Sequence, residues 1–257
     1  MAEKILSGIK LSEIKLSRRL RAVADMVTKG NVVCDVGCDH GFVSIYLVKK
    51  GISPRVIAMD VNEGPLKAAR EHIGEYLLTD YIETRLSDGV SALETGEADT
   101  LICAGMGGKL MKRILEEGKE KVREMKELVL QPQSEIQAMR EYLRCQGYLI
   151  VDENMILEEG KYYPMMKAKP SYRNGSYSND SSERQFADSG DLGRIKDKYG
   201  PVLLEKKNSV LADYLHREYG ICMQILDNLQ KNGREQEVRR DEIINKMKDI
   251  ETALSCF

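Results

Sequence analysis

Much of what would quickly betray a function is missing from this chain. Its six cysteines include no Cys-x-x-Cys pair and follow no metal-ligand rhythm, so neither a zinc site nor a dithiol redox centre is expected. Cys34 and Cys103 fall inside apolar strand patterns and read as small core residues of a reducing compartment. Neither sign of charge dominates: 39 Lys and Arg stand against 41 Asp and Glu in 257 residues, a net charge of −2, so the whole molecule shows no basic excess announcing a nucleic-acid partner. No apolar run reaches membrane-spanning length, and the opening MAEKILSGIKL has neither a long apolar core nor a small-residue cleavage site. A cytoplasmic protein with no membrane partner is expected.

What is present is organised around Asn31 to Gly41, NVVCDVGCDHG. Val32 and Val33 open a short apolar run that ends in Asp35, and a turn carrying Gly37, Asp39 and Gly41 follows. Phe42, Val43, Ile45, Tyr46 and Val48 then recur at helical spacing, which predicts a strand, a tight turn and a helix. Glycines let a backbone approach a ligand closely, and the next helix offers its first amides. The spacing is neither the G-x-G-x-x-G of dinucleotide sites nor a phosphate loop ending in Gly-Lys-Ser/Thr. A pyrophosphate wants bare amides and positive charge, whereas this turn brings the carboxylates of Asp35 and Asp39. It suits a cation with hydroxyls and an amine, as in S-adenosylmethionine. An ordinary βα turn with two solvated aspartates explains the motif alone equally well.

Along the rest of the chain, Ser17 to Gly30 reads as an amphipathic helix capped by Ser17, with Leu20, Val23, Ala24 and Val27 on one face and Gly30 at its end. Residues 4 to 29 hold seven basic side chains (Lys4, Lys10, Lys15, Arg18, Arg19, Arg21, Lys29) against Glu13 and Asp25, which makes either a phosphate-binding face or a solvated one. Val56 to Asp60 is a second strand ending in an acid, 25 residues beyond Asp35, close to where a ribose-binding acid stands. A helix around Leu66 to Ile73 leads to the strand Ile82 to Leu86 and to Ser87-Asp88-Gly89, where Asp88 either accepts an adenine amine or merely makes the turn. The strand Thr100 to Ala104 runs into Gly105-Met106-Gly107-Gly108, and glycines at the end of a buried strand mark ligand approach in open α/β sheets. Leu128 to Gln133, a helix from Ser134 to Gln146, and strands near Tyr148 to Ile156 and Lys161 to Ala168 complete the alternation. The pattern predicts a mainly parallel sheet whose last hairpin supplies an antiparallel strand. Lys169 to Gly193 turns to Ser, Asn, Asp and Gly and reads as a linker. Leu211, Leu215, Tyr219, Cys222, Leu226 and Leu229, then Ile243, Met247, Ile250 and Leu254, form two helical stripes about Asn232-Gly233. An antiparallel hairpin is expected, its outer face a solvated coiled-coil surface or a clamp on RNA. The expected organisation is 1–168, a linker over 169–193, and a helical unit over 194–257.

DVGCDHG, AMDVNEGPLKAA, RLSDGV, AGMGG and LQPQ, in that order and followed by YGPVLLEKK, resemble the bacterial tRNA (adenine-22-N1)-methyltransferases, the TrmK family. The resemblance covers nearly the whole chain except the Ser/Asn linker. It implies an α/β class I S-adenosylmethionine-dependent methyltransferase domain, Rossmann-like with a mostly parallel seven-stranded sheet, plus a C-terminal coiled-coil hairpin. It also implies S-adenosyl-L-methionine as cofactor, tRNA as partner and methylation of N1 of an adenine in the D-arm; no metal and a monomer are expected. By position the family's cofactor site falls on Asp35, Gly37, Asp39, His40, Gly41, Asp60, Val61, Asp88, Gly89 and the loop Ala104, Gly105, Met106, Gly107. Gly105, Met106 and Gln131 are the expected catalytic positions, Tyr162 or Tyr163 could stack on the base, and Arg18, Arg19 and Arg21 are expected on tRNA. Cys38, Gly41 and Gln133 stand where the family tends to have Thr, Ala and Asn.

The absence of an obvious base fits that chemistry. Adenine N1 has a free lone pair and loses no proton when methylated, so positioning matters more than base catalysis. Sites for amino-group methylation usually carry Asp/Asn-Pro-Pro-Tyr after the fourth strand, and Ala-Gly-Met-Gly-Gly stands here instead, which favours a ring nitrogen. A paired target base must leave its stack to be reached. Two other readings remain: a methyltransferase acting on another RNA base, such as a ribosomal one, and a non-catalytic RNA-binding module that keeps the fold.

Overall fold

The computed structural model describes residues 14–173, 176–177, 190–231 and 237–257. The expected turn at Asn232-Gly233, most of the expected linker, and Lys4 and Lys10 lie outside them. Elements follow in the order α1 (Arg18–Asp25), β1 (Val33–Val36), α2 (Phe42–Lys49), β2 (Val56–Asp60), α3 (Glu63–Glu75), β3 (Ile82–Leu86) and β4 (Thr100–Met106). Then come α4 (Gly108–Glu117), α5 (Lys119–Arg123), β5 (Glu127–Pro132), α6 (Ile136–Cys145), β6 (Tyr148–Glu158) and β7 (Lys161–Pro170). A two-strand ribbon, β8 (Tyr172–Arg173) and β9 (Ser176–Tyr177), precedes the helices α7 (Asp191–Tyr199), α8 (Pro201–Glu205), α9 (Ser209–Lys231) and α10 (Glu237–Leu254).

The main sheet has seven strands in the order β3-β2-β1-β4-β5-β7-β6. β1 to β5 are parallel and β7 lies antiparallel between β5 and β6, the arrangement the alternating pattern predicts. β1, β2 and β5 are buried at every position, because helices cover both faces of the sheet. One apolar cluster, including Ile57, Leu101, Met111 and Leu143, fills one face, and another, including Ile45, Leu47, Leu66 and Met165, fills the other. No helix among the described residues is long and apolar enough to cross a membrane.

Two helices differ from expectation, both for side-chain reasons. α1 is capped by Ser17, whose hydroxyl accepts the Leu20 amide at 3.2 Å, but it ends at Asp25 instead of reaching Gly30. Buried Glu127 captures the Thr28 amide at 2.7 Å and the Thr28 hydroxyl at 2.6 Å, pulling the chain out of the helix. Ser134 does not start its own helix either. Its hydroxyl accepts the Gly108 amide at 3.1 Å, and the Glu135 carboxylate accepts the Lys109 amide at 2.9 Å, so the pair caps α4 while α6 begins only at Ile136.

The helical tail starts at Asp191, within the stretch that reads as a linker, and α7 and α8 dock on β6 and α6. Arg140 and Glu153, 1% and 0% exposed, form an ion pair of 2.8 Å beneath them. Arg140 also donates to the carbonyls of Asp197 and Lys198 at 2.9 and 3.1 Å, and Glu153 accepts the amides of Val202 and Leu203 at 2.9 and 3.3 Å. Gly200, at φ 103°, lets the chain pass: a Cβ there would lie 2.7 Å from the Glu153 carboxylate. α9 and α10 pack on each other and on α7 through Ile195, Leu211, Leu215, Ile243 and Ile250.

Candidate active site

β1 and β4 are hydrogen-bonded neighbours, yet the chain leaves β1 for β2 on one side and reaches β4 on the other. Such a reversal opens a crevice at the carboxyl ends of the two strands. A cavity of about 310 Å³ lies there, lined by Asp35, Gly37, Cys38, Asp39 and His40 from one loop and by Ala104, Gly105 and Met106 from the other. Arg19 and Leu20 of α1, with Gln133, close its sides.

The β1 loop is held by backbone. The amides of Gly37 and Cys38 both donate to the Met59 carbonyl, at 2.8 and 2.9 Å, which ties the turn to β2. Gly37 sits at φ 73°, a conformation that strains other residues, and a Cβ there would lie 2.2 Å from the Met106 methyl, which would have to swing aside. Gly41, at φ 75°, precedes α2 and faces Ala69. Asp35 is buried and accepts the Ser44 hydroxyl at 2.7 Å. Burial pushes its carboxyl up to about 6, the Ser44 bond opposing and Asp60 adding to the rise. Burial also raises the thiols of Cys34, Cys38 and Cys103, so none of them is a ready nucleophile.

The structure does not gather all the expected residues into one cavity. Asp60 is buried beside it, its carboxylate accepting the amides of Asp39 at 3.3 Å and Asn62 at 2.9 Å. Val61 is 58% exposed just beyond. Asp88 pairs with Arg113 at 3.1 Å on the surface, and Gly89 packs on Ile114. These four lie at or just beyond the ends of β2 and β3 and do not line the cavity. Gly107 caps α4 next to Ser134. Gln131, expected as a catalytic position beside Gly105 and Met106, is 0% exposed and does not line the cavity that those two line. Its carbonyl accepts from Arg19 Nη1 at 2.7 Å.

The three clustered arginines have separate surroundings. Arg18 and Arg21 are exposed, the first reaching the Leu157 carbonyl at 3.5 Å and the second Asp25 at 3.7 Å. Arg19 turns inward instead, over the Tyr163 ring at 5.3 Å. Tyr162, one residue along β7, points to the opposite face and meets Tyr214 of α9 edge-on at 5.1 Å. Sequence reasoning missed the inward role of Arg19; its place in the amphipathic repeat beside Leu20 was the available signal. Among the described residues no group of side chains is arranged to hold a metal ion.

Sheet order, an acid-ended first strand and a glycine turn at the switch point define a methyltransferase domain, and the family model described as "Methyltransferase domain" matches residues 16–166. Within that class, the chain belongs to the tRNA (adenine(22)-N(1))-methyltransferase family. It is 34% identical over 200 residues to the tRNA (adenine(22)-N(1))-methyltransferase of Bacillus subtilis, covering 78% of this chain and 79% of that one. The crystal structure of the B. subtilis m1A22 tRNA methyltransferase TrmK superposes with a TM-score of 0.77 at 28% identity, over 94% of this chain and 99% of the other. A Streptococcus pneumoniae protein solved in complex with S-adenosyl-L-methionine gives 0.76 at 28% identity, over 93% and 100%.

Proposed function

We propose that this protein transfers a methyl group from S-adenosyl-L-methionine to N1 of adenine 22 in the D-arm of tRNA, acting as a cytoplasmic monomer. The observation that carries the reading is the acid-lined glycine cavity at the switch point between β1 and β4, in a chain of this family. The residues fit the cofactor chemically. Asp35 and Asp39 present carboxylates to its cationic groups, and a Cβ at Gly37 would fill the cradle. Asp60, at the end of β2, is suited to a ribose, with Val61, Asp88 and Gly89 at the ends of β2 and β3 offered to the adenine.

When bound, the cofactor supplies a methyl group on a positively charged sulfur. The chain's own part is to align that methyl with the N1 lone pair and to keep water out. Transfer forms the N1–C bond and breaks the C–S bond; the electron pair stays on sulfur and the positive charge passes to the ring. No proton moves, so no side chain need act as a base, and alignment alone can account for roughly 7–11 kcal/mol of a barrier in favourable cases. Met106 and Gly105, at the inner wall, are the nearest candidates to bound the target base, with Gln131 acting behind Arg19. Exposed Arg18 and Arg21 are suited to phosphates.

The test is incubation with labelled S-adenosylmethionine and unmodified tRNA, followed by nuclease digestion and mass mapping. 1-Methyladenosine at position 22 is expected; methylation at another position of the tRNA, or none, overturns the reading. Sedimentation at micromolar concentration tests the monomer.

A further inference from the structure

Tyr162, a ring that could have stacked on the target base, does not line the cavity between β1 and β4. It walls another pocket, of about 180 Å³, where the helical tail meets the sheet. Pro164 beside it on β7, Leu203 of α8, and Leu211 and Tyr214 of α9 line the same space, and no residue lines both sites. Tyr199, the last residue of α7, lines the pocket too and is 6% exposed. Its hydroxyl is buried and has no hydrogen-bond partner among the described residues. Such a group is unfavourable to the folded chain alone and becomes favourable once a ligand pairs with it. Burial, with the Asp249 carboxylate next in weight, raises the pKa of this phenol, so the group stays an O–H donor and calls for an acceptor.

The charged groups of the pocket are already matched. Lys246 pairs with Glu218 at 2.6 Å, Lys198 with Asp249 at 2.8 Å and Arg140 with Glu153 at 2.8 Å. An ion would meet no uncompensated charge there, which selects a neutral ligand. Size and lining narrow the choice further. An apolar cavity of about 150 Å³ accommodates benzene, and the 180 Å³ here suffices for one ring bearing a small polar group. We propose that this junction pocket binds a small neutral molecule with a single ring and a carbonyl or ring-nitrogen acceptor. The acceptor takes a hydrogen bond from the Tyr199 hydroxyl, and the ring packs on the aromatic and aliphatic walls. Because those walls come from β7 of the sheet and from α7, α8 and α9 of the tail, an occupant touches both and fastens one to the other.

The experiment follows the methionine methyl resonances of the full-length, carbon-13-labelled protein, because Met155 lines this pocket and Met106 the catalytic cavity. Met155→Leu and Met106→Leu identify the two signals. Three ligands share a ring: benzamide is neutral with an acceptor, toluene has no acceptor, and benzoate is charged. At up to roughly 10 mM, benzamide should shift Met155 and leave Met106 unmoved, with benzoate binding more weakly. Tyr199→Phe should weaken benzamide about three- to tenfold and leave toluene within about twofold. Free Tyr199→Phe should melt at or above the wild-type temperature, since an unpaired hydroxyl is gone. Ile136→Trp, which fills the pocket from α6, should abolish the Met155 shift, and it keeps the idea testable if Tyr199→Phe does not fold. No Met155 shift with benzamide, as from a pocket that holds only water, would overturn the proposal. So would benzoate binding more tightly than benzamide, equal benzamide affinity of wild type and Tyr199→Phe, or a Tyr199→Phe protein that melts well below wild type. Displacement of bound benzamide by unmodified tRNA would give the pocket to an RNA base and overturn it as well.

Discussion

Charged groups at the cavity and charged groups under the helical tail are treated in opposite ways. Beneath α7 and α8, Arg140 and Glu153 are buried together, and each also bonds to the tail's backbone. At the cavity, Asp35 has a hydroxyl and Arg19 an amide, and neither has an opposite charge as partner. Complete compensation makes a fastening; incomplete compensation leaves a charge that a ligand can complete. The contrast sorts structural from functional charge without any reference to conservation.

The sharpest way to break that contrast is to unbalance the tail. Glu153→Ala leaves the Arg140 guanidinium buried and unpaired, and should destabilise the fold by about 3–5 kcal/mol, lowering the melting temperature by roughly 6–20 °C. Replacing both residues with apolar ones of similar volume should restore most of it, and calorimetric melting checks both. If Glu153→Ala melts with wild type, the pair is not a fastening.

A smaller effect is expected at Asp35. Because burial holds its carboxyl near 6, above the ordinary ~3.9, the unfolded chain ionises first. Stability of the free protein should therefore fall as pH rises from about 4 to about 6 and gain nothing further from this group above that range. Cofactor affinity should run the other way, rising up to tenfold per pH unit below about 6 and flattening near 7. Asp35→Asn should bind weakly and show no such slope in calorimetry between pH 5 and 7.

The smallest effect belongs to the exposed arginines. Arg18→Ala and Arg21→Ala should each reduce the slope of log K against log salt for tRNA by at most about 0.9, while cofactor affinity stays constant. Slopes equal to wild type would show these side chains to be merely solvated.

The contrast also explains what could be read from the sequence. β2 and β3 fall at the predicted residues, and the turn from Asp35 to Gly41 forms as expected, because periodicity and glycine placement are local signals. Residues that depend on distant partners were not legible. Nothing near Thr28 reveals that Glu127, ninety-nine positions on, will end its helix. A Ser-x-x pattern before an apolar run looks like a helix start, and only the fold shows Ser134 serving another helix. Arg19 differs from its neighbours by direction alone, which Tyr163 and Gln131 decide from two remote strands. The Arg140–Glu153 pair spans two elements, and its purpose appears only when Val202 and Leu203 arrive.

The capping of α4 by Ser134 and Glu135 reaches beyond helix boundaries. The amides of Gly108 and Lys109 are the first of α4, and a bare helix start attracts phosphate. With a hydroxyl and a carboxylate already on them, the positive pole of the helix is neutralised from inside the protein. At this helix start two amides are therefore already occupied by the protein's own side chains.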